Sequence, residues 1–126
     1  IISCATLSRS PLICGEWLKP GSHLDLIGAF TKDMRESDDE AVRRARVFVD
    51  TRAGAFAEAG DILQPIASGA ITEDHVIGEL ADLVGGRQGR RSSDDITLFK
   101  SVGAALEDLA GAILAYETAR QDMATS

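Results

Sequence analysis

The sequence is poor in the residues that staple or metallate small domains. Its two cysteines, Cys4 and Cys14, lack CxxC spacing and have no second pair to complete a zinc site. His23 and His75 stand far apart, with no partner at metal-ligand spacing, so no metal is expected. Two cysteines without a secretory signal point to reduced thiols in a cytoplasmic protein. No apolar run approaches the roughly 20 residues of a membrane span, so no membrane partner is expected. Positive charge is also short. Thirteen Lys and Arg against twenty Asp and Glu leave −7 over 126 residues, a field that argues against a nucleic-acid partner. An initiator Met, a basic n-region and a glycine-rich GxGxxG turn are missing too. Ile1-Ile2-Ser3-Cys4-Ala5-Thr6 reads like the middle of a buried strand, so the expectation is a piece of a longer protein.

What is present suits a packed core, because 44% of residues are apolar, too many for a disordered chain. Short apolar runs alternate with helical patterns. Strands are expected at Ile1–Ala5, His23–Ala29, Arg46–Asp50 and Ile96–Phe99, three of them bounded by turn residues such as Lys19-Pro20-Gly21-Ser22. A helix opens at Asp38-Asp39-Glu40, whose acids suit the positive end of a helix dipole. Another runs from Thr51 to Ala59, with Gly60 read as its C′ residue. A third opens at Thr72, with Val76, Ile77, Leu80 and Leu83 on one face, and stops at Gly85-Gly86. Gly86–Asp95 is read as a loop, and Val102–Met123 as the longest helix, with Leu106, Leu109, Ile113 and Tyr116 in one stripe.

Strand, helix, strand in this order is the pattern of an α/β domain with a mainly parallel sheet. Such sheets bind ligands at the carboxyl ends of their strands. Here those ends are Cys4-Ala5-Thr6, Ile27-Gly28-Ala29, Asp50-Thr51 and Lys100-Ser101-Val102-Gly103, all small or polar. Small residues also suit tight strand-to-helix turns, so this feature alone leaves both readings open.

A more specific signal lies in whole blocks of sequence. They are Gly21–Phe30, Met34-Arg35-Glu36, Val47–Thr51, Glu58–Ile62, Gly89-Arg90 and above all Thr97–Asp108. Together, in this order, they resemble the ornithine cyclodeaminase and mu-crystallin family over nearly the whole chain. The resemblance implies a protein of just over three hundred residues that uses NAD or NADP. It implies hydride exchange with the α-carbon of a small imino or amino acid, and a homodimer. Residues 1–101 correspond to the second half of a Rossmann-type NAD(P)-binding domain, three-layered with a mainly parallel sheet. Residues 102–126 correspond to a long C-terminal helix returning to the substrate and dimerisation domain.

The resemblance also assigns residues. Ala5, Thr6, Ile27, Gly28, Ala29 and Ser101 would face the cofactor. Ser101, Val102 and Gly103 would meet the substrate, with Gly103 opening the last helix. Gly28 would let the backbone approach the nicotinamide where a Cβ would block it. Ser101 could equally serve as an N-cap. Phe30 departs from the pattern, since ornithine cyclodeaminases carry an Asp there that acts on the substrate amine or the attacking water. Phenylalanine moves no proton, so no catalytic residue is assigned within this chain. Gly28-Ala29-Phe30-Thr31 and Met34-Arg35-Glu36 look most like bacterial pyrroline- and piperideine-2-carboxylate reductases. Reduction of a cyclic ketimine, Δ1-pyrroline-2-carboxylate to L-proline, therefore ranks ahead of ornithine cyclodeamination and of a non-catalytic crystallin-like role.

Five further features carry weaker readings. Glu58 and Asp61 invite a paired-carboxylate reading, or packing between domains. Arg35 and Glu36 form either a site-edge pair or a surface ion pair. Arg87, Arg90 and Arg91 suit a solvated loop better than a phosphate site. Trp17 and Tyr116 read as core or interface aromatics, and His23 as a structural histidine.

Overall fold

Five short strands, each rich in β-branched or aliphatic residues, pair in parallel. They are β1 (Ile2–Cys4), β2 (His23–Leu26), β3 (Arg46–Val49), β4 (Val76–Glu79) and β5 (Thr97–Lys100). Their order across the sheet is β1-β2-β5-β3-β4. The helices are α1 (Asp39–Arg44), α2 (Arg52–Glu58), α3 (Gly60–Ala67), α4 (Leu80–Val84) and α5 (Ala105–Thr125). This is a computed structural model that describes the backbone of residues 1–125 and the side chains of residues 1–123. Ser126, the expected end of the last helix, lies outside the described residues. The expected α/β class with a parallel sheet and a long C-terminal helix is what the chain adopts.

The connections explain the layering. From β2 through β4 the chain moves across the sheet in one direction, and right-handed crossovers put α1, α2 and α3 on one face. The return from β4 to β5 runs the other way and sends α4 to the opposite face. The core accordingly joins Leu24, Leu26, Val47, Val49, Val76 and Leu98 of the strands to Ala41, Val42, Ala55 and Ile62 of the first three helices and to Ala59 at the junction of α2 and α3. The small alanines let these helices approach the sheet closely.

Local chemistry sets the helix ends. The Asp38 carboxylate accepts the Ala41 N–H at 2.7 Å, and Arg43 and Arg44 close α1 at its negative end. Thr51 caps α2 through the Gly54 N–H at 3.2 Å.

Several expected boundaries are corrected. Val76–Glu79 is a strand rather than part of a helix, because it completes the sheet beside β3; only Leu80–Val84 is helical. Gly60 begins α3 instead of closing α2. A Cβ at Gly60 would collide with the Met34 carbonyl, so the glycine permits chain approach rather than a left-handed turn. The last helix starts at Ala105, since Gly103 takes φ +86 and turns the chain first. Every described side chain from Ala105 to Met123 is exposed.

Candidate functional site

The carboxyl ends of β1, β2, β5 and β3 lie side by side, as parallel pairing demands. Each is followed by a loop, and the four loops form a ledge. Ala5 is exposed on it and Thr6 is half-buried. The Thr6 N–H donates to Glu36 Oε1 at 2.5 Å, and the Thr6 carbonyl accepts the Ala29 N–H at 2.9 Å. The end of β1 is thereby tied to the end of β2.

At the end of β2 the chain bends sharply. Ala29 has φ +51, a left-handed conformation that side chains with a Cβ seldom adopt. The bend buries Gly28 and Ala29 and turns Ile27 and Phe30 outward, each 43% exposed. The two buried residues have different local roles. Gly28 is required by its own chain, because a Cβ there would meet the Thr6 backbone and Glu36 Oε1 at impossible range. Ala29 is fully buried, so its side chain offers no surface to a ligand. Ile27 and Phe30 present that surface instead.

The end of β5 is organised by Asp50, the residue that ends the apolar run of β3. Its Oδ2 accepts from the Ser101 hydroxyl at 2.9 Å, the Val102 N–H at 2.8 Å and the Gly103 N–H at 3.0 Å. Its Oδ1 accepts the Thr51 N–H at 2.6 Å. Ser101 is buried, its hydroxyl committed to Asp50 and to the Gly103 N–H at 3.0 Å. The Ser101 hydroxyl and the Val102 and Gly103 N–H groups are thus turned to the protein. Gly103 remains exposed, and a Cβ built there would meet nothing within 4 Å.

Beneath the ledge lies a buried charge cluster. Lys100 is wholly buried, donates to the Gly28 carbonyl and lies 3.6 Å from Asp61 Oδ2. Asp61 Oδ1 accepts from the Glu36 N–H, the Ser37 N–H and the Ser37 hydroxyl, each at 2.9 Å. Glu36 Oε2 and Asp61 Oδ2 have no hydrogen-bond partner among the described residues. Burial pulls the Lys100 ammonium below its ordinary pKa, opposed by the charges of Asp61 and Glu36. Burial also raises the Cys4 thiol above the ordinary cysteine value, helped by the same two carboxylates.

The other candidates resolve plainly. Glu58 is exposed and Asp61 buried, so they form no carboxylate pair. Arg35 pairs with Asp39 at 2.7 Å rather than with Glu36. Arg90 bonds to the Asp95, Gly21 and Ser22 carbonyls, pinning its loop to the preceding turn, and Arg87 bonds to the Ile77 carbonyl. His23 Nδ1 meets Thr97 Oγ1 at 2.8 Å, as a structural histidine should. Trp17 is 62% and Tyr116 67% exposed, so neither is core.

Asp50 and the Lys100 cluster were not singled out from sequence as organising groups. One signal was legible: alternation places Lys100 on the same sheet face as Leu98, which faces the core. Two cavities lie away from the ledge. One, of about 560 Å³, sits at the amino ends of β3 and β5 beside Arg46 and Ile96. The other, of about 370 Å³, lies on the α4 face beside His23, Phe48 and Phe99. Among the described residues no helix is long and apolar enough to cross a membrane.

Comparison with known proteins places this arrangement. A Delta(1)-pyrroline-2-carboxylate reductase of Paracoccus denitrificans is 52% identical over 110 residues, covering 86% of this chain and 35% of that protein. The ketimine reductase mu-crystallin of Mus musculus is 39% identical over 118 residues, covering 94% and 35%. The solved Delta(1)-pyrroline-2-carboxylate reductase of Thermococcus litoralis, in complex with NADH and L-proline, matches with a TM-score of 0.89 at 43% identity. That match covers 95% of this chain and 38% of that one. The chain therefore spans little more than a third of the length of these relatives. A model of the ornithine cyclodeaminase/mu-crystallin family matches residues 1–123, and the chain belongs to that family.

Proposed function

We propose that the ledge is one wall of the nicotinamide-cofactor cleft of a cyclic ketimine reductase, which converts Δ1-pyrroline-2-carboxylate to L-proline as a full-length protein. The observation that carries the reading is Phe30. At the outward bend after β2 it presents an apolar ring, 43% exposed, where cyclodeamination would call for an acid. The relatives with pyrroline-2-carboxylate reductase activity in their names support the same substrate class.

The residues on the ledge fit a dinucleotide. Ala5 and Gly103 are small and exposed at strand carboxyl ends, and the space beyond Gly103 is open. Ala5, Thr6 and Ile27 would line the cofactor side, with Gly28, Ala29 and Ser101 supporting from behind. Val102 and Gly103 would border the substrate. NAD or NADP, when bound, supplies the hydride. Phe30 would pack against the apolar edge of a cyclic imine and exclude water. It moves no proton, so the proton for the imine nitrogen would come from water or from a group outside residues 1–126.

The exposed apolar stripe of α5, Leu106, Leu109, Ile113 and Tyr116, would dock on the remainder of the protein, a homodimer in the cytoplasm. Residues 1–101 would then be half of the cofactor domain and residues 102–126 its return to the substrate domain. The test is steady-state assay of the full-length protein with Δ1-pyrroline-2-carboxylate and NADH or NADPH, beside L-ornithine and NAD. Imine reduction with little ammonia release from ornithine is expected. Proline and ammonia from ornithine with no imine reduction would establish cyclodeaminase activity instead. Cofactor binding without turnover of either would establish the crystallin-like role.

A further inference from the structure

The charge cluster beneath the ledge is more than the fold requires. A methionine at position 100 would fill a similar volume, and apolar replacement of a buried ion pair is often neutral or stabilising. Instead, a wholly buried ammonium lies 3.6 Å from the buried Asp61 carboxylate, with the buried Glu36 carboxylate close enough to act on its charge, and each carboxylate has one oxygen lacking a hydrogen-bond partner. The ammonium donates to the carbonyl of Gly28, the residue just before the left-handed Ala29. A left-handed conformation in a residue with a Cβ persists only where its surroundings hold it. The Asp61 carboxylate fixes the backbone at Glu36 and Ser37, and Glu36 in turn holds the Thr6 N–H. Three of the four ledge loops therefore hang from this cluster: Thr6 through Glu36, Gly28 through Lys100, and Ser101 as the next residue after Lys100.

We propose that Lys100 is a positioning residue: by holding the Gly28 carbonyl it fixes the bend at Ala29, and with it the height at which Ile27 and Phe30 meet the cofactor and substrate. Lys100 touches neither ligand. The proposal rests on the reading of the ledge as the cofactor wall, and the assignment to Lys100 is separable from that reading by experiment.

The test uses the full-length protein, Lys100→Met and the double variant Lys100→Met with Asp61→Asn. The double variant removes the carboxylate that the single one leaves unpaired, so it keeps the test alive if Lys100→Met fails to fold. Three quantities are read: melting temperature, NADH dissociation constant by fluorescence titration, and amide hydrogen exchange at Thr6 and Ala29. The double variant is expected to melt within a few degrees of wild type. Its NADH dissociation constant should rise at least tenfold, and exchange at Ala29 should accelerate at least tenfold. Wild-type affinity and wild-type exchange in the double variant would overturn the proposal and leave the cluster a packing feature. Accelerated exchange in a protein whose wild type does not bind NADH would uphold the role of Lys100 in shaping the bend while refuting the cofactor reading.

Discussion

Replacing Gly28 by alanine adds one methyl group, and its cost follows from what surrounds that position. The new Cβ would lie closer than 3.0 Å to Thr6 O, Thr6 N and Glu36 Oε1, separations that real Cβ atoms do not show. Two of the three atoms are backbone and cannot swing aside. Thr6 would have to withdraw by roughly 1 Å to restore ordinary contact. Overpacking of this kind costs about 1–3 kcal/mol. Withdrawal also breaks the 2.5 Å bond from the Thr6 N–H to Glu36, leaving a buried carboxylate oxygen unsatisfied at about 1–3 kcal/mol more. A loss of about 4 kcal/mol is expected, a large share of the roughly 5–15 kcal/mol that stabilises a typical protein. Gly69→Ala is the control. Gly69 has φ +78 at the end of α3 with nothing within 4 Å of a built Cβ, so only backbone strain of about 1 kcal/mol applies. Urea unfolding of the two full-length variants measures the difference. Equal losses, within about 0.5 kcal/mol, would refute the argument that Gly28 is demanded by Thr6 and Glu36.

Asp50→Ala should destabilise by about 3 kcal/mol or more, because Ser101, Val102, Gly103 and Thr51 all donate to its carboxylate; urea midpoints check this. Phe30→Asp should fold nearly as well as wild type, since the ring is already 43% exposed. Its kcat/KM for imine reduction should fall at least tenfold, about 1.4 kcal/mol in the barrier, read as NADH oxidation. His23 sits below its ordinary pKa, chiefly through burial, so the folded state binds fewer protons than the unfolded chain near pH 6. Stability should therefore be present at neutral pH and fall as pH drops below about 6.5, with a flatter profile in His23→Gln, measured by denaturation at pH 7.5 and 5.5. Leu109→Glu with Ile113→Glu should cost the full-length protein about 3–5 kcal/mol if both side chains are buried there, seen as a lower melting temperature.

The sheet was largely legible because its strands are short aliphatic runs between turn residues, and α1 announced itself through Asp38, Asp39 and Glu40. Two elements were hidden by local signals that tertiary contacts overrode. In α3, Gly60 imitated a helix stop and Pro65 disfavoured a helix interior, yet Gly60 is there for the Met34 carbonyl. In β4, Val76 and Ile77 share helical spacing with Leu80 and Leu83, but pairing with β3 decided the conformation. The ledge was legible as a row of small and polar strand ends, while the role proposed for it came from resemblance. Which atoms face outward was not legible. That depends on Lys100 reaching Gly28 across 72 residues of sequence and on Asp50 reaching Gly103 across 53. Neither pairing leaves a periodic trace in the chain.

The proposed hydride transfer to the imine carbon is tested most directly with isotopes. Full-length protein is given Δ1-pyrroline-2-carboxylate and NADH carrying deuterium at both C4 positions, and the product is examined by mass spectrometry and NMR. L-proline with one deuterium at the α-carbon is expected, with one NADH consumed per proline formed. Proline without that deuterium, or no NADH consumed while ornithine yields proline and ammonia, would contradict it.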